Sequence, residues 1–169
     1  MDEERREALK ARRAALRDRL ALAPINELVE KLAARGCRAD VLFPGKCQAI
    51  LGELIDVPCE DERIDWDRVP TGNVRIWSSG ALRDALALKA VGACAAPDER
   101  VAAIWNPAGA GLAMTRADLE AGIALLLDEA AETWIVSAAG GKWLVECAIF
   151  DHEICWSADL MRGIGQKAG

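Results

Sequence analysis

The stretch WIVSAAGGKWLVECAIFDHEICW, Trp134 to Trp156, decides how this chain is read. It holds three tryptophans, two cysteines and the only histidine of the sequence. Thr133–Ser137, Lys142–Phe150 and Glu153–Trp156 have strand composition, and they are joined by Ala-Ala-Gly-Gly and by Asp151-His152. Connections that short permit only antiparallel pairing. A two-residue turn at Asp151-His152 pairs Phe150 with Glu153, Ile149 with Ile154, Ala148 with Cys155 and Cys147 with Trp156. Side chains alternate across a strand. Cys147 therefore shares a face with Trp143, Val145, Ile149, Ile154 and Trp156, which is wholly apolar and is core. Cys155 lies on the other face with Leu144, Glu146 and Ala148. The two cysteines cannot share a metal or a disulfide in this register, and His152 sits at the turn.

Upstream, the chain alternates. Val74–Trp77 is a strand, and Ser79 caps a helix to about Val91. Arg100–Trp105 is a second strand. Asn106–Met114 reads as a Gly/Pro loop, and Thr115 caps a helix to Ala131 with Asp118 at the capping-box position. The N-terminal third is helical. Asp2–Ala21 carries a thin stripe of Leu9, Leu16 and Leu20, which suits a surface arm or contact with a second copy in a homodimer. Pro24 interrupts, Ile25–Arg35 forms a second helix, and Gly36 stops it. Ala39–Phe43 reads as a short strand and Lys46–Ile55 as a further helix. Val57–Gly72 is a long polar loop, of the kind that is functional or mobile in compact domains.

The pattern predicts an α+β class: N-terminal helices, then a mixed sheet with two crossover helices and a C-terminal antiparallel three-strand meander. Residues 1–22 form a helical arm, 23–162 a single domain and 163–169 a flexible tail. The 169 residues suffice for one real core. No apolar run is long enough to span a bilayer, and the charged start MDEERREALKARR is no signal peptide. The expected setting is the cytoplasm, with six reduced cysteines and no membrane partner.

Net charge is −6, and residues 1–20 carry seven Arg/Lys against five Asp/Glu, so the remainder is at −8. An acidic body argues against nucleic acid and favours a basic protein as partner, although acidity also serves plain solubility. The candidate contact is the acidic part of the long loop: Glu60, Asp61, Glu62, Asp65 and Asp67 around Trp66. An aromatic anchor with an acidic rim would steer and hold a basic surface. The alternative is a solvated loop whose tryptophan tucks into the domain.

Signals for chemistry are weak. The cysteines contain no CxxC. NPAGAGLAMT lacks the spacing of a dinucleotide or P-loop site, and Ser78-Ser79 lacks the GxSxG elbow. Cys47, after Pro44-Gly45-Lys46 at a helix start, would have a lowered thiol pKa there. Paired with His152 it would make a thiol-dependent enzyme. Nothing indicates a cofactor or a metal.

The acidic helix end running into ETWIVSAAGGKWLVECAIFDHEICW resembles the terminal hairpin of small bacterial immunity-like proteins encoded beside polymorphic or contact-dependent toxins. The resemblance covers the last third of the chain. It implies a non-enzymatic cytosolic protein that binds and blocks one toxin. A phage-type inhibitor or a secretion chaperone is the neighbouring reading.

Overall fold

The computed structural model describes residues 3–54, 59–60, 63–105 and 109–160. In chain order the elements are α1 (Glu3–Ala33), β1 (Ala39–Leu42), α2 (Pro44–Leu51), β2 (Cys59–Glu60), β3 (Arg63–Ile64), β4 (Asn73–Ile76), α3 (Gly80–Cys94), β5 (Val101–Trp105), β6 (Ala110–Met114), α4 (Arg116–Asp128), β7 (Glu132–Ser137), β8 (Leu144–Ala148) and β9 (Glu153–Ser157). Short 3-10 turns cover Gly52–Leu54 and Trp66–Arg68.

Seven strands form one sheet in the order β1-β6-β5-β7-β8-β9-β4, while β2 and β3 make a separate hairpin. The class is α+β and β7-β8-β9 is an antiparallel meander, as the sequence predicts. The sheet is antiparallel throughout rather than mixed. The crossover helices do join strands of like direction: α3 leads from β4 to β5 and α4 from β6 to β7. In each case those two strands are separated in the sheet. β5 lies between β6 and β7, and β7, β8 and β9 lie between β5 and β4.

The missing piece was β6, which occupies the second half of the segment read as a loop. Its sequence, AGLAM, has no β-branched residue, so local propensity is silent. What makes it a strand is its position between β5 and β1, where it is buried along its length. Gly111 is required there. A Cβ at that position would lie 2.5 Å from the Ala103 carbonyl oxygen on β5.

The N-terminal expectation of two helices is also corrected, since Pro24 lies inside one helix of 31 residues. Proline removes one backbone donor at a cost of about 3 kcal/mol. Strong helix formers precede it, and Ile25, Leu28 and Leu32 bury themselves just after it, so the interruption is tolerated. Gly36 does stop the helix, with φ +79 and the bonds Gly36 N–H to Ala33 O (2.9 Å) and Cys37 N–H to Leu32 O (3.1 Å). That pairing is the Schellman arrangement. Ser79 and Thr115 cap α3 and α4 as predicted, each accepting from a backbone N–H three residues on.

Two apolar clusters lie on opposite faces of the sheet. On the first face pack α1, α4 and α3, with Leu28, Leu32, Leu119, Leu126 and Val91 meeting Val101, Leu112, Ile135, Val145 and Ile154. The second face is covered by α2, Leu54, the segment 63–69 and Leu160, which meet Ile104, Ala113, Val136 and Leu144. Trp143, Val145, Cys147 and Ile154 lie in the helix-side cluster, with Ile149 and Trp156 packed against it. The two-faced assignment of the meander therefore holds, but its register does not. Ala148 pairs with Glu153, Cys147 with Ile154 and Val145 with Trp156. The turn is four residues, Ile149–His152, and His152 takes a positive φ of 56 to close it. The pairing moves by two residues, an even number, so every side chain keeps its face. Among the described residues no helix is long and apolar enough to cross a membrane.

Two substitutions test this packing. Trp143→Ala, at a buried position, is expected to cost about 3–5 kcal/mol in chemical denaturation, while Leu9→Ala, on the exposed part of α1, shifts the midpoint little. Gly111→Ala is expected to cost about 1–3 kcal/mol, because two paired strands would have to separate to admit one methyl group.

Candidate functional site

The meander strand β8 reads LVECA and is buried at all five positions. Its central residue is Glu146, a carboxylate with 0% of its surface exposed. Glu146 lies on the same face as Leu144, which belongs to the second cluster. Directly opposite on β7 stands Trp134, whose indole N–H donates to Glu146 Oε1 (2.9 Å) and to Glu132 Oε1 (3.1 Å). The other oxygen, Oε2, accepts the indole N–H of Trp66 from the 3-10 turn. Glu132 and Glu146 meet at one shared indole donor, where the two carboxyls act on each other. Two carboxyl groups and two indoles from three segments thus converge on one buried point.

The electrostatics follow from that geometry. Burial and, next, the hydrogen bond to Glu132 push the Glu146 carboxyl up to about 7, against the opposite pull of the two indole donors. A carboxyl that keeps its proton into the neutral range can donate to Glu132 while both its oxygens accept from indoles. The ion pair of Arg68 with Asp65 (3.8 Å) occupies the one cation on the turn.

The predicted contact residues fall out unevenly. Asp61 and Glu62 lie outside the described residues. Glu60 is paired with Arg63 in the β2–β3 hairpin, and its side chain is likewise outside the description. Asp65, Trp66 and Asp67 form the start of the 3-10 turn. Trp66 is half-buried, packs against the second cluster and lies close on Gly72, where a Cβ would sit 3.2 Å from its ring. Its indole is committed to the sheet, and Asp67 and Arg68 are what the turn presents outward. The sequence reading placed Glu146 on the second face but did not single it out. The signal was present: one acidic residue inside an apolar strand, flanked on its own face by Leu144 and Ala148.

The acidic character of this end of the sheet extends beyond the buried pair. Register places Glu132, Ala148, Glu153 and Ile76 in one row across β7, β8, β9 and β4. Directly opposed residues share a face, so this row lies on the Glu146 side. It ends at β4, an edge strand exposed at all four positions. Ile76 is 72% exposed, Val74 40%, and Phe150 in the adjoining turn 86%. The Trp77 N–H bonds to His152 O (2.9 Å), so by alternation the backbone groups of Val74 and Ile76 point out of the sheet. Arg75 folds back to donate to the Val74 carbonyl (2.8 Å) with its guanidinium 5.9 Å from the Trp156 ring.

The proposed thiol site looks different. Cys47 is buried in the second cluster, its Sγ near the Leu42 carbonyl at 3.7 Å. Burial pushes its thiol up to about 11, the reverse of the lowering expected from a helix start beside a lysine. Desolvation outweighs the dipole of an eight-residue helix. His152 stacks on Trp77, with ring centroids 4.4 Å apart, and Trp77 belongs to the cluster on the other face. At the opposite end of the second face a cleft of about 520 Å³ is lined by Asp40, Lys46, Glu99 and Arg100 among small residues. Three of its four charges are already engaged: Arg100 with Asp40 (2.6 Å), and Glu99 with the Trp143 indole (3.1 Å).

Glu146 sets a pH dependence whose sign is fixed. Its folded-state value lies above the ordinary 4.5, so its stabilising contribution is complete below about 4.5 and is lost as pH rises to about 7. Across that window wild type is expected to lose roughly 3 kcal/mol relative to Glu146→Gln, read as diverging urea midpoints at about pH 5 and about pH 7.5. Parallel pH profiles would show that this carboxyl does not titrate there. Cys47 is expected to resist alkylation at neutral pH until denaturant is added, as followed by mass spectrometry; rapid labelling of the native protein would return it to the list of nucleophiles. Compared with family models, with curated proteins and with solved structures, the chain matches none of them, and the site is read from its own residues.

Proposed function

We propose that the chain is a non-enzymatic binding protein that neutralises a basic protein partner, as the toxin immunity proteins resembled by its last third do. The observation that carries this reading is the row Glu132–Ala148–Glu153–Ile76, in which acidic side chains lead to an exposed apolar edge. An apolar contact supplies most of the affinity of a protein interface, and flanking charge supplies steering and choice of partner. Val74, Ile76 and Phe150 provide the apolar part. Glu153, Asp65 and Asp67 provide the acidic rim, to which Glu60, Asp61 and Glu62 of the same loop belong by sequence. In this reading Trp66 shapes the surface from beneath by holding the turn that carries Asp65 and Asp67. The cytoplasm is the expected site of action, and the exposed Leu9 and Leu16 on α1 offer a separate contact for a second copy.

Site-specific photo-crosslinking in the native host tests it. A crosslinker at Ile76 is expected to capture one basic protein, and one at Phe43, on the far edge of the sheet, is expected not to. Adding Glu153→Lys to the Ile76 probe should lower recovery several-fold, most clearly at low salt. Equal recovery from both edges, or from a folded Glu153→Lys protein, would remove this surface from the function.

A further inference from the structure

Glu146, the partner of Glu132, has no place in a simple docking surface, since it is wholly buried. We propose that these two glutamates share a proton that fastens the Trp66 turn to the sheet, and that losing the proton loosens the turn. The inference stands apart from the identity of any partner.

The geometry has three parts. First, among the described residues the element that covers Glu146 Oε2 with a hydrogen-bond donor is the Trp66–Arg68 turn, through one indole. Trp134, on the other oxygen, is carried by β7, whose backbone is paired on both sides. Second, the turn is tied elsewhere along the segment. Thr71 Oγ1 meets Ser157 Oγ (2.6 Å) and the Asp159 carbonyl (2.9 Å), and Val69 is buried. Loosening is therefore confined to the Trp66 end. Third, the described side chains of the adjoining strands and turn offer no unpaired cation to hold two negative charges. Glu132 on β7, Cys155 opposite on β9, Glu153 further along β9, and Asp65 and Asp67 on the turn are acidic or neutral. Arg68, the one cation among the described residues of these elements, pairs with Asp65 and is 71% exposed.

With the proton present, the Glu146 carboxyl donates to Glu132 and accepts from both indoles, so every polar atom is matched. When it leaves, two carboxylates remain on one indole N–H with one of them cut off from water. Like charges at that distance inside a protein repel strongly, and hydration is the available relief. Water reaches Glu146 most simply where Trp66 lifts, because the other neighbours are sheet strands. The raised pKa of Glu146 agrees with this, since it shows the closed arrangement disfavouring the charged form despite two donors.

The test follows the indole N–H resonances of isotope-labelled protein, assigned with Trp66→Phe, Trp134→Phe and Trp143→Phe. The Trp66 and Trp134 signals are expected to titrate together with a midpoint near 7, while Trp143, bonded to Glu99, stays still as an internal reference. Glu132→Gln, a change at a half-exposed site, is expected to lower the midpoint by about one pH unit or more, because it removes the second carboxylate. Glu146→Gln should abolish the titration. In wild type the amides of Arg68 and Val69, which close the turn at 3.0 and 3.2 Å, should lose protection on the basic side relative to Glu146→Gln, while that of Gly72, in the tied part, keeps its protection. Flat Trp66 and Trp134 signals between about pH 5.5 and 8.5 would overturn the proposal. So would a midpoint unmoved by Glu132→Gln, which would mean that Glu146 titrates alone, and so would equal protection in the two proteins.

Discussion

The central strands of this protein are buried on both faces, and most of its other features answer to that constraint. β5, β6 and β8 expose nothing along their lengths. A sheet with no wet face needs two covering layers, which the chain supplies as three helices on one side and α2 with the 63–69 segment on the other. It also needs small side chains where strands and layers approach closely. Gly111 against the Ala103 carbonyl and Gly122 against Leu32 are such places, with hypothetical Cβ contacts of 2.5 Å in both cases. Close packing of this kind leaves little room for a volume change in either direction.

The same constraint gives Glu146 its character. An acidic side chain in a dry sheet must find partners or give up its charge. Here it does both: two indoles and a second carboxyl surround it, and its proton is retained into the neutral range. The cost of placing a glutamate there would be hard to rationalise if the position were only structural, because a leucine would fill the space without any polar matching. Linking the sheet to the Trp66 turn through a titratable group makes the covering segment responsive in a way that apolar packing cannot be.

The edges complete the picture. β4 is an open strand with outward backbone groups, a hazard for uncontrolled pairing. Arg75 answers it by capping the Val74 carbonyl with its own guanidinium.

The sequence by itself determined the class, the meander, the helix caps at Ser79 and Thr115, the Gly36 stop and the face of every residue in the last hairpin. These are properties of short range: alternation with period two, turn lengths, and side chains that bond a backbone group three residues away. Even the wrong turn length left the faces right, because the error was an even shift. The tertiary structure alone decided the rest. It made AGLAM a strand by enclosing it between β5 and β1, carried a helix through Pro24 by burying Ile25, Leu28 and Leu32 after it, and raised rather than lowered the Cys47 thiol by burying it. It also brought Trp66 and Glu146, eighty residues apart in the chain, onto one hydrogen bond. No local pattern encodes such a meeting, since it depends on how the covering segment lies across the sheet.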